Sequence, residues 1–201
     1  MKKILILFCA LFIASIVKGQ TAVEYFERGL SKYKSGNYSE AIAYYTLAIK
    51  LDPNYVAAFI NRAIAKAVYE DEIGAIPDFN KAIELDPKNA EAYANRGAVK
   101  HNLRDFRGAI ADCTKAIELD PKYAPAYKTR GYSKFYLKDY KGAIADCNKA
   151  IELDPKNAEA YKIRGLTKIK LGQKDSGCLD LSKGGELGDV EAYGLISKNC
   201  Q

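Results

Sequence analysis

The sequence has one histidine, no tryptophan and only six prolines among 201 residues. His101 is therefore the one imidazole available to a Ser-His-Asp or Cys-His arrangement, and no spacing of partner residues around it supports either. Cysteine and histidine do not occur at zinc-ligand spacing. No glycine-rich loop followed by lysine and serine is present to bind phosphate. The composition predicts a protein that is not an enzyme and has no catalytic residues, metal site or cofactor.

Long apolar runs are absent except for one over residues 4–17, which follows two lysines and precedes Lys18 and Gly19. As a helix this run is too short for the roughly 30 Å core of a bilayer. The pattern predicts a secretory signal peptide over residues 1–19, cleaved after Gly19. A membrane anchor and lipid attachment at Cys9 are the less favoured alternatives. We expect an exported protein, periplasmic or extracellular, with no stable membrane span after cleavage.

Neither sign of charge dominates the chain. The formal charge is +6, and loss of residues 1–19 removes three lysines and no acid, which lowers it to +3. A mixed surface of this kind is typical of soluble proteins and lacks the strong basic excess of nucleic-acid-binding domains. We expect no nucleic-acid partner.

Four of the six prolines fall at a fixed interval of 34 residues, at Pro53, Pro87, Pro121 and Pro155. The segment KAIELDP is repeated letter for letter over 81–87, 115–121 and 149–155. A period of this length is typical of helical arrays in which each unit buries its apolar face against its neighbours. The sequence therefore predicts an all-α repeat protein.

Each unit is predicted to contain two helices. In the fourth unit, apolar and small residues recur at helical spacing over 124–137 and over 139–154. Asp139 fits the N-cap of the second helix, and Asn37, Asp71 and Asp105 are its equivalents, with Glu40 forming a capping box with Asn37. Glycines recur inside the first helices at positions 29, 97, 131 and 165. Because glycine destabilises a helix interior, its recurrence predicts close contact with alanines of the second helix.

The recurring pattern of a large aromatic residue, Gly or Ala, Ala, a second aromatic residue, Ala and Pro resembles the tetratricopeptide repeat (TPR). The first aromatic position, where the family often has tryptophan, is filled by Tyr25, Phe59, Tyr93, Tyr127 and Tyr161. The resemblance implies a TPR superhelix, which is a solenoid of antiparallel helix pairs. Its concave groove, lined by the first helices, docks peptides or partner proteins in that family.

We place the TPR array at residues 20–188. It contains four clear repeats, at about 22–55, 56–89, 90–123 and 124–157, and a degenerate fifth at 158–188, in which glycines replace alanines and no proline follows. Residues 189–201 resemble a C-terminal capping helix that covers the last apolar face with Val190, Tyr193 and Ile196.

Four cysteines lie beyond the signal peptide. Cys113 and Cys147 are one period apart, and helices of stacked repeats lie about 8–10 Å apart, which exceeds the roughly 7 Å Cα limit for a disulfide. We interpret both as small buried apolar residues. Cys178 and Cys200 flank the irregular C-terminal segment, where export would allow a disulfide. Two unpaired thiols are the alternative.

An arginine recurs in every unit and an aspartate in four. Each arginine could meet an aspartate 16 residues ahead in its own unit or 18 residues behind in the previous one. We predict a structural ion-pair ladder, and the alternative is a stripe that binds an anionic polymer. The ladder residues are Arg62, Arg96, Arg130, Arg164, Asp78, Asp112, Asp146 and Asp180, and Arg28 extends the arginine row.

The peptide-binding members of the family place asparagines where Asn61 and Asn95 stand, and an amide both donates to and accepts from a peptide backbone. The other residues assigned to the groove are Phe26, Leu30 and Tyr33 at one end and His101, Asn102, Lys128, Tyr132, Tyr136, Lys162 and Lys170 towards the other. The lysine-tyrosine end suits an acidic or C-terminal carboxylate. Phe26 and Leu30 replace the lysine and asparagine of the chaperone-binding subtype, so no chaperone clamp is expected. Ordinary surface and packing tyrosines are the alternative.

We therefore expect a non-catalytic scaffold that binds a protein or peptide, of unknown identity, in the groove of an exported TPR array. Two other functions remain open. One is a structural or assembly factor of the cell envelope that binds through its convex face. The other is an oligosaccharide-binding accessory protein, which the tyrosines of the groove would favour.

Overall fold

The computed structural model describes residues 21–200, and the predicted signal peptide lies outside them. Over this range the chain forms eleven helices and no strand. They are α1 over residues 21–34, α2 Tyr38–Leu51, α3 Val56–Val68, α4 Glu72–Leu85, α5 Ala90–Asn102, α6 Phe106–Leu119, α7 Ala124–Tyr136, α8 Tyr140–Leu153, α9 Ala158–Lys170, α10 Lys174–Glu186 and α11 Val190–Asn199. The all-α class and the two helices per period are confirmed. None of these helices is both long and apolar enough to cross a bilayer.

The helices form two compact units, which divide between Pro87 and Lys88. The described part of unit 1 contains the helix pairs α1–α2 and α3–α4. Unit 2 contains the pairs α5–α6, α7–α8 and α9–α10, followed by α11. Within unit 2 the first helices α5, α7 and α9 pack side by side, and each also packs against its own second helix.

The second helices begin at side-chain caps in three of the repeats. Asp71, Asp105 and Asp139 each accept a hydrogen bond from the backbone N–H of the glycine three residues later, at 2.9–3.0 Å. The capping-box prediction for Asn37 is wrong. Its side chain makes no cap bond, and Glu40 instead pairs with Lys32 at 2.6 Å.

Glycine and alanine let the two helices of a pair approach closely. A Cβ atom added to Gly131 would lie 3.2 Å from the carbonyl oxygen of Ala143, and one added to Gly97 would lie 3.2 Å from that of Ala109. The predicted contact between glycines of the first helix and alanines of the second is therefore confirmed for Gly97 and Gly131. It is wrong for Gly29, which faces the ring of Tyr45, and for Gly165, which faces Gly177 and Leu181.

In every repeat, the residue at one equivalent position lies at the centre of the helix pair. The side chains at this position are fully buried, and they belong to Tyr45, Phe79, Cys113, Cys147 and Leu181. The two cysteines are free thiols, and burial raises the pKa of each to about 12. They act as small apolar residues, as the sequence predicts.

The C-terminal helix α11 is attached to α10 by a disulfide between Cys178 and Cys200, whose Cα atoms are 5.9 Å apart. Its contact face differs from the predicted one. Ala192 is fully buried, whereas Val190 is 81% exposed, so the assignment of Val190 to the covering face is wrong. Tyr193 lies against Gly185, where an added Cβ would come within 2.9 Å of the ring. The small residue at 185 therefore provides the space for this ring.

Candidate functional site

Four arginines form paired hydrogen bonds with the aspartates 16 residues ahead. In each pair the arginine Nε lies 2.8–2.9 Å from one carboxylate oxygen and Nη2 lies 2.6–2.7 Å from the other. A lysine four residues after each arginine adds a second ion pair at 2.7–2.8 Å. Of the two partners that the sequence left open, the structure pairs each arginine with the aspartate of its own repeat. The pairs are Arg62–Asp78, Arg96–Asp112, Arg130–Asp146 and Arg164–Asp180.

The remaining surfaces of these arginines are also occupied within the fold. Each guanidinium lies over the aromatic ring three residues earlier, at 5.2–5.6 Å. Arg130 Nη1 also donates to Thr114 on the preceding second helix. Burial alone would lower the pKa of Arg130, but the hydrogen bond and charge of Asp146 outweigh it and raise the pKa. This arginine joins three helices, and each of its three guanidinium nitrogens donates to a residue of the fold.

A cleft of about 370 Å³ opens on the face that α5, α7 and α9 form, which we call the first-helix face of unit 2. Its lining includes five of the eight residues predicted to bind a peptide, which are His101, Asn102, Lys128, Tyr132 and Tyr136. Residues from α5 and α7 form its sides, and Glu159 of α9 closes one end. The structure thus brings these five side chains to one site.

Aromatic rings form most of the apolar surface of the cleft. The His101 ring centroid lies 4.6 Å from that of Tyr132 and 5.6 Å from that of Tyr136. Phe106 stacks on Tyr136 with centroids 4.7 Å apart and planes 2° from parallel. The rings position one another and present flat apolar surface, suited to bury a side chain or a ring of a ligand.

Ser133 contacts His101 beside the cleft. Its hydroxyl oxygen lies 2.9 Å from the Thr129 carbonyl oxygen and 2.9 Å from His101 Nδ1. The hydroxyl has one hydrogen to donate, so the tautomer of His101 decides which of these two groups receives it. Burial and the charge of Lys128 lower the pKa of His101, with Glu159 opposing them, so the ring is neutral at pH 7.

Charged groups lie at the rim of the cleft. Lys128 of α7 forms an ion pair with Glu159 of α9, and Arg104 lies in the turn after α5. The Lys128 and Glu159 charges are partly solvated, and a ligand could replace either partner at small cost because exposed ion pairs stabilise little.

The structure places the other predicted residues away from this cleft. Lys162 is buried and pairs with Asp189 at 2.7 Å and Glu191 at 2.9 Å. Burial would lower the pKa of Lys162, but its hydrogen bonds with the two acids raise it above the ordinary value. Its charge is therefore neutralised by the segment that begins α11 and is not open to a ligand.

The two asparagines lie in separate units. Asn61 donates its amide N–H to the Ala57 carbonyl at 2.9 Å within α3, and Asn95 is a partly buried residue of α5 outside the cleft lining. Phe26, Leu30 and Tyr33 pack against the buried Tyr45 of unit 1, which makes them packing residues. Lys170 is exposed at the end of α9.

Sequence reasoning missed Arg104, Phe106 and Glu159 among the lining residues. It considered only the inward positions of first helices, whereas Phe106 begins a second helix and Arg104 belongs to a turn. A usable signal was present, because Tyr38 and Tyr140 occupy the equivalent position of Phe106. Over residues 21–200, no group of His, Cys, Asp and Glu side chains is arranged to hold a metal ion.

Several solved structures share this fold. A MamA protein is 27% identical with a TM-score of 0.70, covering 87% of this chain and 96% of its own. TTC0263, a thermophilic TPR protein from Thermus thermophilus, is 17% identical with a TM-score of 0.74, covering 89% and 98%. YrrB, described as a TPR protein with an unusual peptide-binding site, is 21% identical with a TM-score of 0.67, covering 88% and 92%. No curated protein sequence matches the chain.

The family model for the tetratricopeptide repeat matches residues 22–55, 90–123 and 124–157, and a second TPR repeat model matches residues 74–103. Proteins built from this repeat generally bind protein or peptide partners. The matched segments span more than half of the sequence, and the three matches of the first model coincide with the helix pairs α1–α2, α5–α6 and α7–α8, so the chain belongs to the tetratricopeptide repeat family.

Proposed function

We propose that this protein is a non-catalytic scaffold that binds an extended segment of a partner polypeptide in the cleft on the first-helix face of unit 2. The observation that carries the proposal is the convergence of His101, Tyr132 and Tyr136 on a cleft lined by first helices. Burying one large apolar side chain against these rings would contribute about 2 kcal/mol. The Nε2 atom of His101 and the rim charges would fix the orientation of the segment.

The one histidine–hydroxyl contact in the cleft region does not suit catalysis. A nucleophilic serine must present its oxygen to a substrate as well as contact a histidine. Ser133 contacts His101 Nδ1 but is fully buried, so a substrate could not reach its oxygen. This burial supports a binding function over an enzymatic one.

The proposal also includes export of the protein from the cytoplasm. The basic start and apolar run over residues 1–17 support export to the periplasm or the outside of the cell. N-terminal sequencing of the protein from fractionated producing cells tests this. We expect Gln20 to be the first residue of the exported form, and an intact N-terminus in the cytoplasm would contradict export.

Peptide binding can be tested with a random peptide library displayed on phage. We expect the full chain to enrich peptides with a large apolar residue, and Tyr136→Ser to weaken their binding at least about tenfold, as loss of about 1.4 kcal/mol would. Tyr193→Ser is the matched control, because both rings are about half exposed and only Tyr136 lines the cleft. Enriched peptides that bind the two variants equally would refute the cleft as the site.

An oligosaccharide is the second candidate ligand, and the ring surfaces of Phe106, Tyr132 and Tyr136 are the observation that favours it. A glycan array probed with the full chain distinguishes an oligosaccharide ligand from a peptide ligand. Glycan binding that Tyr136→Ser abolishes, together with no peptide enrichment, would replace the peptide by a sugar. Partners captured equally by wild type and Tyr136→Ser would instead indicate the convex-face assembly function.

A further inference from the structure

Three turns of unit 2 each begin with an exposed leucine. They join α5 to α6, α7 to α8 and α9 to α10, and we call them together the turn edge of unit 2. Leu103, Leu137 and Leu171 are 39%, 43% and 40% exposed. Because α5, α7 and α9 pack side by side and run in the same direction, the three turns lie at the same end of the unit. Neighbouring leucines are therefore about 10 Å apart.

The leucines are surrounded by cations that lack acidic partners. Within the described residues of unit 2, no ion pair involves Arg104, Arg107, Lys138, Lys141 or Lys170, all of them exposed. Lysines on the second helices are paired with a glutamate three residues later, as in Lys115–Glu118, Lys149–Glu152 and Lys183–Glu186. Lys122 and Lys156, in the turns at the opposite end of the unit, also form no ion pair with any described residue, so the turn edge differs in having five such cations.

The acidic residues of these turns cancel only part of this charge. In the third helix pair an exposed acid, Asp175, stands at the position of Arg107 and Lys141. Asp105 and Asp139 are helix N-caps, and their carboxylates accept hydrogen bonds from Gly108 and Gly142. The positive end of the helix dipole offsets part of each negative charge. The turn between α3 and α4 in unit 1 differs, because it carries three successive acids over residues 70–72. This turn also exposes apolar residues, since Tyr69 is 58% and Ile73 75% exposed, but it is acidic. Exposed apolar residues beside unpaired cations are therefore a feature of the turns of unit 2.

The backbone of the turn edge can enter a medium of low polarity at little cost. In the first turn, the N–H groups of residues 103–105 bond to the carbonyls of Val99, His101 and Lys100. The N–H groups of residues 137–139 and 171–173 make equivalent bonds. Unsatisfied backbone groups are costly in the hydrocarbon region of a bilayer, and the N–H groups of these turns have partners within the fold.

We propose that the turn edge of unit 2 docks on a membrane surface that contains anionic phospholipid. The leucines would enter the boundary between headgroups and acyl chains, while the arginines and lysines contact the lipid phosphates. An acidic protein would pair with the cations but would leave three separate protruding leucines without a matching surface. A bilayer accommodates both the charges and the apolar tips, which is why we favour it.

Vesicle co-sedimentation of the chain without residues 1–19 tests the charges. We expect binding to vesicles of phosphatidylcholine mixed with phosphatidylglycerol, little binding to phosphatidylcholine alone, and weakening as salt rises. Arg107→Glu with Lys141→Glu should reduce the binding at least about tenfold. The matched control is Lys122→Glu with Lys156→Glu, which makes the same charge change at exposed turns of the opposite end and should leave binding unchanged.

The leucines are tested by changing Leu103, Leu137 and Leu171 together to serine, with circular dichroism to verify that the fold is kept. We expect this variant to bind vesicles at least about tenfold more weakly than wild type, since each buried leucine side chain favours the membrane. Polyglutamate represents the alternative ligand, an acidic protein, and its binding is compared with that of the vesicles. Absence of vesicle binding by wild type, equal losses in edge and control variants, or binding to polyglutamate that exceeds binding to vesicles would each overturn the proposal.

Discussion

Arg130 and Arg28 occupy the same position in their repeats, but only Arg130 has an aspartate to pair with. The residue 16 positions after Arg28 is Tyr44, and Arg28 is exposed above the ring of Tyr25 at 5.8 Å. Arg130 has the equivalent ring contact at 5.6 Å and, in addition, both oxygens of the buried Asp146. Comparing alanine variants of the two arginines therefore separates the contribution of the ring contact to stability from that of the ion pair.

We predict that Arg130→Ala lowers the free energy of unfolding by about 3 kcal/mol, because Asp146 remains buried with Lys134 as its only charged partner. Arg28→Ala should change it little, since the lost ring contact is exposed. Urea unfolding followed by circular dichroism measures both. If Arg130→Ala left stability unchanged and weakened the binding of an anionic polymer, the ladder would be a ligand site.

Residue-level prediction from sequence depended on how far each partner lies along the chain. The period restricted each arginine to two candidate aspartates, because equal spacing preserves geometry from one repeat to the next. It could not show that Lys162 meets Asp189 and Glu191, since those acids belong to a segment outside the repeat. Nor could it show Phe106 in the cleft, because the first turn of a second helix was not considered inward-facing.

At the scale of elements, α11 takes the place that the first helix of a further repeat would occupy. Residues 189–193 (DVEAY) match 157–161 (NAEAY) in all but the first two positions, and Asp189 caps α11 through the N–H of Ala192 as Asn157 caps α9. With no second helix behind it among the described residues, α11 is held by Cys178–Cys200 and by the two acids on Lys162.

Helix bounds were predictable because aspartate precedes the second helix in the second to fourth repeats and proline follows it in the first to fourth repeats. The face of α11 was not predictable, because an apolar stripe assigned by spacing alone placed Val190 inward. The structure instead buries Ala192 and places the Tyr193 ring against Gly185 of α10. The absence of a side chain at Gly185 lets the flat ring of Tyr193 approach α10 closely.

Reduction of the disulfide should loosen α11. The bond closes a loop with a sequence separation of 22, for which the loss of chain entropy in the unfolded state corresponds to about 3 kcal/mol. We predict faster amide hydrogen exchange in α11 after dithiothreitol is added, with α5–α8 unchanged. The double variant Cys178→Ser with Cys200→Ser is the control and should exchange rapidly with or without reductant. Equal exchange in oxidised and reduced wild type would contradict a stabilising disulfide.

For the whole molecule, the division into two compact units follows from repeats that contact mainly their neighbours. Stability in such an array is a sum of local terms, so a defect in one unit need not unfold the other. Phe79 in unit 1 and Leu181 in unit 2 are equivalent, fully buried residues at the centres of their helix pairs. They provide matched sites at which to place the same kind of defect in each unit.

We predict that Phe79→Ala, which leaves a cavity and should cost about 4 kcal/mol, speeds amide hydrogen exchange in α3 and α4 and leaves α9 and α10 protected. Leu181→Ala should give the reverse pattern, with rapid exchange in α9 and α10 and protection retained in α3 and α4. Exchange followed by mass spectrometry at the level of peptides measures both variants against wild type. A uniform increase across residues 21–200 in either variant would show that the two units unfold as one cooperative body, because a local defect would then lower the stability of every helix.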